Sequence, residues 1–381
     1  MSNWFSSMFL GVLLVLISTM ALAQHTAEAP KNGDKVEHKT EGFNAVEMIM
    51  EHIGDSNEWH LWTTKDANGV EHHTSIPLPV IIKDQNGIHT FLSSKIAHGH
   101  EHDGYTLEHG QVVSTKGVEK AALFSLVSGK QKASDVFFDF SITKNVASML
   151  LSVLFMLIVF IGMARGYKNS PLPKRLGKAL EPLIIFIRDE VAIPNIGIVK
   201  YKKYMPYLLT AFFFIWFNNL FGLVPFFPGG ANLTGNIAIT AVLAIITLLI
   251  TVFSANKDYW KHIFMPPVPI LLYPIMIPIE IIGIFTKPFA LMMRLFANVT
   301  AGHIMILAII SLIFIFQSPY LGFASVPLAL FVSVLELLVA ALQAYIFTVL
   351  SALFIGIAIA DHDHDHAHND DDSVGEDTIV L

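Results

Sequence analysis

Hydrophobic positions are concentrated after Ile142, where five mostly apolar stretches are separated by short polar loops. About 20 apolar residues in a helix are enough to cross a bilayer core of ~30 Å. The pattern therefore predicts five membrane-spanning helices, at residues 142–163, 205–225, 236–254, 270–316 and 327–360.

The last two stretches are longer than a membrane crossing requires. A helix over residues 327–360 would be about 51 Å long at ~1.5 Å per residue. The stretch 270–316 is longer still and contains Pro274, Pro278 and Pro288. Because an upright helix of this length would leave apolar surface in water, we predict a hairpin of two long, tilted helices.

The beginning of the chain has the pattern of an export signal. Residues 8–24, MFLGVLLVLISTMALAQ, form a short apolar run that ends in Ala21-Leu22-Ala23. A small-x-small end after such a run is typical of a signal peptide, here residues 1–23. An uncleaved signal anchor is the alternative, and in either case we expect the following residues to be exported.

Residues 24–140 are polar and differ in amino-acid composition from the rest of the chain. They contain eleven of the 17 histidines. The segments DANGVEHH and KDQNGIHTF place Asn-Gly between runs of high β-propensity, which is typical of hairpin turns. We therefore predict a small β-rich exported domain at 24–140, a transmembrane domain at 141–360 and an acidic, histidine-rich tail at 361–381. The sequence does not indicate what the exported domain does.

Composition and charge support a polytopic, all-α membrane protein. The chain is 53% hydrophobic and 14% charged, and it has no cysteine, which excludes disulfides and thiolate metal sites. No basic surface for nucleic acid is evident. The loops 226–235 and 317–326 carry no lysine or arginine. The other two loops carry eleven: Arg165, Lys168, Lys174, Arg175, Lys178, Arg188, Lys200, Lys202, Lys203, Lys257 and Lys261. The positive-inside rule then places these two loops and the C-terminus in the cytoplasm.

One arginine stands in the middle of an apolar stretch. Arg294 is 24 and 22 residues from the ends of 270–316, too far for its side chain to reach either headgroup layer. Burying such a charge costs ~2.5–3.5 kcal/mol on insertion scales, so it is expected to have a task or a partner. An internal salt bridge between two helices is the alternative explanation.

The neighbouring polar residues recur with helical spacing. Glu280, Lys287 and Arg294 are seven residues apart, and Asn298 follows four later, so the four share one stripe. Small residues beside this stripe allow another helix to approach closely; they are Ala290, Ala297, Ala301 and Gly302.

A second polar set can carry protons. His303 is about half a turn away from Arg294 in angle, and Glu336 and Gln343 share a face of the last helix. A buried glutamate on one helix and a buried histidine on its neighbour are both able to bind and release protons.

These motifs resemble subunit a of the F-type ATP synthase. The resemblance rests on PIEIIGIFTKPFALMMRLFANVTAGH, LELLVAALQAYIFTVLSALFI and FNNLFGLVPF, and it covers roughly residues 140–360. It implies that Arg294 is the essential arginine facing the carboxylates of the rotating c-ring. Asn298 and Gln343 match the polar residues flanking that arginine, and Glu280 matches the acidic residue upstream. His303 and Glu336 match a proton-relay pair whose two residues are exchanged in some members. Because Glu280, His303 and Glu336 are ionisable and lie off the Arg294 position, all three are our candidates for lining the outer half-channel.

The resemblance also implies a function and partners. We expect a proton-translocating stator subunit with two half-channels, which performs no bond chemistry itself, needs no cofactor or metal, and lies in a bacterial inner membrane. The implied partners are the c-ring, b-type stalk subunits, other ATP synthase subunits and membrane lipid, with no nucleic acid. Whether H⁺ or Na⁺ is the coupling ion stays open, because that site is mainly on the c subunit.

Three other functions fit the sequence less well. A divalent-cation transporter could use the histidines of HGHEH (98–102) and of the tail, but no His/Asp pair at i, i+4 lies within one predicted span, and a mid-membrane arginine repels divalent cations. An intramembrane hydrolase would need a motif such as H-E-x-x-H, which is absent from the chain. A voltage sensor would need arginines at every third residue.

Overall fold

A computed structural model describes residues 45–65, 71–108, 110–121, 136–169, 176–224, 229–266 and 268–360. The predicted signal peptide and the acidic tail lie outside these ranges. Within them, strands are confined to the part before Ile142, and helices long enough to span a membrane follow it. The predicted fold class, a helical membrane protein with a β-rich N-terminal region, is confirmed.

The N-terminal region begins with helix α1, Ala45–Ile53. The strands are β1 Glu58–Lys65, β2 Glu71–Pro77, β3 Pro79–Asp84, β4 Gly87–Leu92, β5 Tyr105–Glu108, β6 Gln111–Ser114, β7 Glu119–Lys120 and β8 Val136–Asp139. β1 and β2 form an antiparallel pair, β5 and β6 form another, and the four-stranded sheet has the order β4-β3-β8-β7. Its core contains Val80, Ile82, Ile96 and Phe137, each at most 1% exposed.

One of the two predicted turns can be examined in detail. β3 and β4 pair antiparallel from Pro79 opposite Leu92 to Asp84 opposite Gly87. The Asp84 carboxylate accepts from the backbone N–H of Asn86 at 2.7 Å and of Gly87 at 3.1 Å, which closes the turn as an Asx motif. The turn predicted in DANGVEHH includes residues 66–70, which lie outside the described residues.

The helices after this region include the five predicted membrane spans. They are α2 Lys144–Asn169, α3 Leu176–Phe186, α4 Ile193–Ile196, α5 Tyr201–Leu223, α6 Ile237–Ser254, α7 Lys257–Phe264, α8 Tyr273–Ile315 and α9 Pro319–Ile359. Among the described residues, α2, α5, α6, α8 and α9 are apolar enough to cross a membrane. A π-helical turn, Ile187–Ala192, joins α3 to α4.

Two helix starts differ from the prediction. α9 begins at Pro319 rather than at residue 327, and α5 begins at Tyr201 rather than at residue 205. Pro319 occupies the first helical turn, where a missing N–H costs nothing. Pro327 is accommodated within the helix, as prolines in membrane helices commonly are. α8 and α9 are therefore ~65 Å and ~61 Å long at ~1.5 Å per residue.

Packing places α8 and α9 at the centre of the helical domain. They contact each other along the hairpin, α9 also packs on α5, and α8 packs on α6. α1 of the N-terminal region packs against α8 as well. The same region is joined to α2, because the backbone N–H of Lys144 donates to the Ser56 carbonyl at 2.7 Å. The N-terminal region thus makes contacts with two membrane helices.

Candidate functional site

Helix α8 has one buried and one exposed face near its middle. Its buried seam runs through Pro288, Leu291, Leu295 and Val299, spaced three and four residues apart. Arg294 lies on the other face and is exposed, as are the small neighbours Ala290, Ala297 and Ala301. Within the described part of the chain Arg294 makes no ion pair. The result is an exposed guanidinium on a flat, small-residue surface.

A polar contact beside Arg294 links the two long helices. The Asn298 amide donates from Nδ2 to Oε1 of Gln343 at 2.9 Å. Gln343 is 2% exposed and lies on the buried seam of α9, whereas Asn298 lies on the exposed face of α8. The pair fixes the register of the hairpin next to Arg294. The arrangement leaves Arg294 without an acidic partner from α9.

His303 and Glu336 form the closest charged contact between α8 and α9. His303 Nδ1 lies 2.6 Å from Glu336 Oε1, and the two side chains are 12% and 9% exposed. At this distance the imidazole and the carboxylate are hydrogen-bonded to each other. Glu336 Oε2 is buried and has no hydrogen-bond partner among the described residues. The pair can therefore pass a proton onward, because one carboxylate oxygen stays available to bind it.

Gly302 makes room for this pair. A Cβ atom at Gly302 would lie 2.6 Å from Glu336 Oε1 and 2.8 Å from its carboxyl carbon. Those distances are shorter than real side chains tolerate, so the carboxylate can occupy its position only opposite a glycine.

We expect Gly302→Ala to displace the Glu336 carboxylate and to lower ATP-driven proton pumping several-fold in the assembled complex. The displacement breaks the contact with His303, which is the physical reason for the loss. Acidification of inverted membrane vesicles, normalised to the assembled subunit, measures the effect. Gly283→Ala is the matched control, since a Cβ at Gly283 of the same helix meets nothing within 4 Å. Equal pumping by both variants would contradict the prediction.

A group of buried amides on the neighbouring elements lies close to His303. A Cβ atom at Gly222 of α5 would come within 3.5 Å of His303 Nε2, so the imidazole lies against that glycine. The same end of α5 and the segment that follows it carry four polar residues that are at most 4% exposed: Asn218, Asn219, Asn232 and Thr234. The Thr234 hydroxyl donates to Asn219 Oδ1, and Asn219 Nδ2 donates to the Ala340 carbonyl of α9 at 3.4 Å.

Two of these amides have unsatisfied atoms. Asn218 Oδ1 and Asn232 Nδ2 are buried and lack a partner among the described residues, as does Glu336 Oε2. Buried polar atoms of this kind are normally satisfied by ordered water. Sequence reasoning assigned no role to these residues. The available signal was the adjacent pair of amides, Asn218-Asn219, within an otherwise apolar helix.

Glu280 and Lys287 precede Arg294 on α8, whereas His303 follows it. Glu280 is partly buried and acts electrostatically on Tyr259 of α7. Burial, and secondly the charge of Glu280, raise the pKa of the Tyr259 phenol. Lys287 Nζ lies over the Phe354 ring at 5.9 Å. A cavity of about 20 Å³, large enough for one water, is lined by Lys287, Tyr259, Thr247 and Thr251 among others.

The described residues contain no group of three or more histidines and carboxylates placed to hold a metal ion. The histidines at 362–368, which the transporter hypothesis would use, lie outside the described residues. The polar set around α8 and α9 is suited to binding and passing protons.

Comparison with known proteins gives consistent matches. A family model described as ATP synthase A chain matches residues 146–356, and a domain of unknown function matches residues 48–140. The chain is 48% identical over 230 residues to ATP synthase subunit a of Chloroherpeton thalassium, covering 58% of this chain and 68% of that protein. It is 37% identical over 358 residues to ATP synthase subunit a of Anaeromyxobacter dehalogenans, covering 90% and 88%. ATP synthase subunit a 2 of Prosthecochloris aestuarii is 43% identical over 279 residues, covering 71% and 84%.

Proposed function

Because this chain belongs to the ATP synthase A chain family and is a subunit a of the ATP synthase membrane sector, we propose that it carries protons between two half-channels past Arg294. The observation that carries the proposal is an exposed guanidinium that has no acidic partner among the described residues and lies on the small-residue face of α8. A charge in that position requires a partner from another subunit.

The partner we assign to this face is the c-ring. Alanines at positions 290, 297 and 301 allow a second helix to approach Arg294 closely. A carboxylic acid in lipid is neutral, because desolvation raises its pKa. When it comes opposite Arg294, the guanidinium favours the ionised form, and the proton leaves. The b-type stalk subunits are the second proposed partner and hold this subunit against the rotating ring.

Arg294 also keeps the two half-channels apart. A fixed positive charge repels a proton that would otherwise pass directly between them. Each proton that crosses 100 mV supplies ~2.3 kcal/mol, and a direct leak would dissipate it. Arginine keeps its charge in proteins, which a lysine at this position would not guarantee.

We assign His303, Glu336 and the buried amides to the outer half-channel. The assignment rests on the proposed orientation, with the 226–235 loop and the β-rich domain in the periplasm and the C-terminus in the cytoplasm, which the eleven cationic residues of the two basic loops support. The His303–Glu336 contact at 2.6 Å and the unsatisfied atoms of Asn218 and Asn232 then form a polar route from the outer face toward Arg294.

The sequence grouped Glu280 with the outer half-channel, but its position on α8 before Arg294, next to the proposed cytoplasmic loop, leads us to propose it for the inner half-channel instead. It is two heptads from Arg294 on the same stripe of α8, about 21 Å at ~1.5 Å per residue, and its neighbour Tyr259 lies in the proposed cytoplasmic loop. Asn298 and Gln343 lie between the two routes, beside Arg294, and their hydrogen bond holds the hairpin in register there.

The experiment that tests this function is ATP-driven acidification of inverted vesicles that contain the assembled complex in sodium-free buffer. We expect acidification that a protonophore collapses. If the native complex is silent until sodium is added, the coupling ion is Na⁺ and the proton assignment is wrong, while family membership stands.

A further inference from the structure

A second buried polar cluster lies where the N-terminal region meets α2, and the proposed function does not use it. It is built by the segment after α1 and by the first turn of α2. Three of its members are almost completely buried: Asn57 is 2% exposed, Asn145 is 3% and Lys144 is 8%. Their partner Asp55 is only partly buried. The cluster therefore reaches from the surface of the exported region into the start of the first membrane helix.

Asp55 is the central acceptor of this cluster. Its Oδ1 accepts from the backbone N–H of Asn145 at 3.1 Å and of Ser56 at 3.0 Å. The Lys144 ammonium donates to the His52 carbonyl at 3.2 Å. Burial raises the pKa of Asp55, and this outweighs the Asn145 N–H, the Thr143 hydroxyl and the Lys144 charge, which lower it. Asp55 thus binds a proton at a higher pH than an exposed aspartate does.

Two buried atoms of the cluster point to water. Asn57 Nδ2 and Asn145 Oδ1 have no hydrogen-bond partner among the described residues. Leaving such an atom unsatisfied costs ~1–3 kcal/mol, so amides in this position are normally paired with ordered water. Water that reaches Asn145 is already at the first turn of a membrane-spanning helix.

The polar character continues down α2 on one face. Asn145, Ser148 and Ser152 are spaced by three and four residues and are 3%, 2% and 0% exposed. Leu154, on another face of the same helix, is 53% exposed. We call Asn145, Ser148 and Ser152 the α2 polar stripe. Polar side chains thus occupy part of the buried side of α2, where apolar packing alone would favour leucine or alanine.

The inner end of the stripe lies at the level of the buried amides of α5. Phe155, three residues after Ser152, contacts Phe217 and Phe221 with ring centroids 5.4 Å and 5.5 Å away. Asn218 and Asn219 lie between those two phenylalanines in sequence. The stripe therefore leads from Asp55 to the depth at which the proposed outer half-channel begins.

We propose that the α2 polar stripe is the route by which protons reach the outer half-channel, with Asp55 as the first proton-binding group. This inference rests on the proposed function and gives the exported region a part in proton uptake. A purely mechanical role is the competing explanation, in which Asp55 only caps the N-terminus of α2.

The native absence of cysteine makes the route directly testable. Ser148→Cys and Ser152→Cys are close to isosteric, and each introduces a single thiol. Spheroplasts are treated from outside with the impermeant probe 2-(trimethylammonium)ethyl methanethiosulfonate and washed before inverted vesicles are made. A cysteine thiolate forms only where water is present. It attacks the methanethiosulfonate, displaces methanesulfinate and leaves a bulky cation attached to the cysteine through a mixed disulfide. We expect ATP-driven acidification to fall several-fold in both variants.

Two further variants decide between the possible results. Leu154→Cys, on the exposed apolar face of α2, is expected to be unaffected by the reagent. Asn232→Cys reports on the proposed outer half-channel itself. Inhibition at residue 232 without inhibition at residues 148 and 152 overturns the inference and leaves the half-channel in place. Inhibition at none of the three positions overturns the outer half-channel assignment and the inference together.

Asp55→Asn separates proton binding from capping. The amide oxygen still accepts from the Asn145 N–H, so helix α2 keeps its cap, but the titratable group is lost. We expect proton uptake from the outer face to fall several-fold and its dependence on outer pH to change, while Asp103→Asn, an exposed aspartate of the same region, leaves both unchanged. A normal rate with an unchanged pH profile in Asp55→Asn shows that the residue is only a cap.

Discussion

Arg294→Ala is expected to abolish ATP-driven acidification in a complex that still assembles. The side chain is exposed and makes no ion pair within the described residues, so removing it leaves no buried group unsatisfied in this subunit. The loss is therefore one of function, since the c-ring carboxylate no longer meets a charge that favours its ionised form. We also expect faster passive proton leakage, because the barrier between the half-channels is gone. Arg294→Lys is expected to recover little of the coupling.

The matched control for this prediction is Lys287→Ala. It removes a cation from the same stripe of α8, seven residues away, and its contact with Phe354 is worth only ~0.5–1 kcal/mol. We expect this variant to keep most of its pumping rate. If Arg294→Ala pumps as well as the native complex, the arginine is a structural element and the proposed gate is wrong.

Exchanging His303 and Glu336 with each other is expected to restore part of the ATP-driven acidification that is lost when either residue is changed alone. His303→Leu and Glu336→Gln each eliminate one of the two groups that are hydrogen-bonded at 2.6 Å, and we expect both to lose most of the acidification rate. The double variant His303→Glu, Glu336→His restores an imidazole and a carboxylate in contact. Its recovery is expected to be partial, because the imidazole must fit against Gly302.

The rate of ATP-driven acidification, measured for all variants at equal assembly, checks this prediction. A double variant carrying alanine at both positions should remain inactive, which shows that recovery requires the two proton-binding groups. A Glu336→Gln variant that pumps at the native rate would remove Glu336 from the route.

Periodicity was sufficient to predict the α8 stripe but not the buried amides of α5. α8 has distinct buried and exposed faces, so a spacing of seven residues places Glu280 and Arg294 on one of them. α5 differs, because the consecutive residues 211–215 are all buried. A helix that is buried all round has no sequence signal for the direction of any one side chain, and the Asn219 contact with Ala340 spans 121 residues.

The start of α9 and the contact between the N-terminal region and α2 could not be predicted from the sequence either. The apolar stretch predicted a start at residue 327, but in α9 the helix continues through Pro327 from Pro319. Asp55 and Asn145 are 90 residues apart, and nothing in either local sequence indicates that one caps the helix of the other. Contacts of this kind depend on how separate elements are brought together in three dimensions.

The contact between α1 and α8 has a consequence for biogenesis. Residue 53 ends α1, and α8 begins at residue 273, so the ribosome makes the partner helix ~10–45 s after α1 at ~5–20 residues per second. During that interval α1 has no α8 to pack against. The N-terminal region therefore completes its contacts only when the helix that carries Arg294 has been made, so docking of α1 is a late step in maturation.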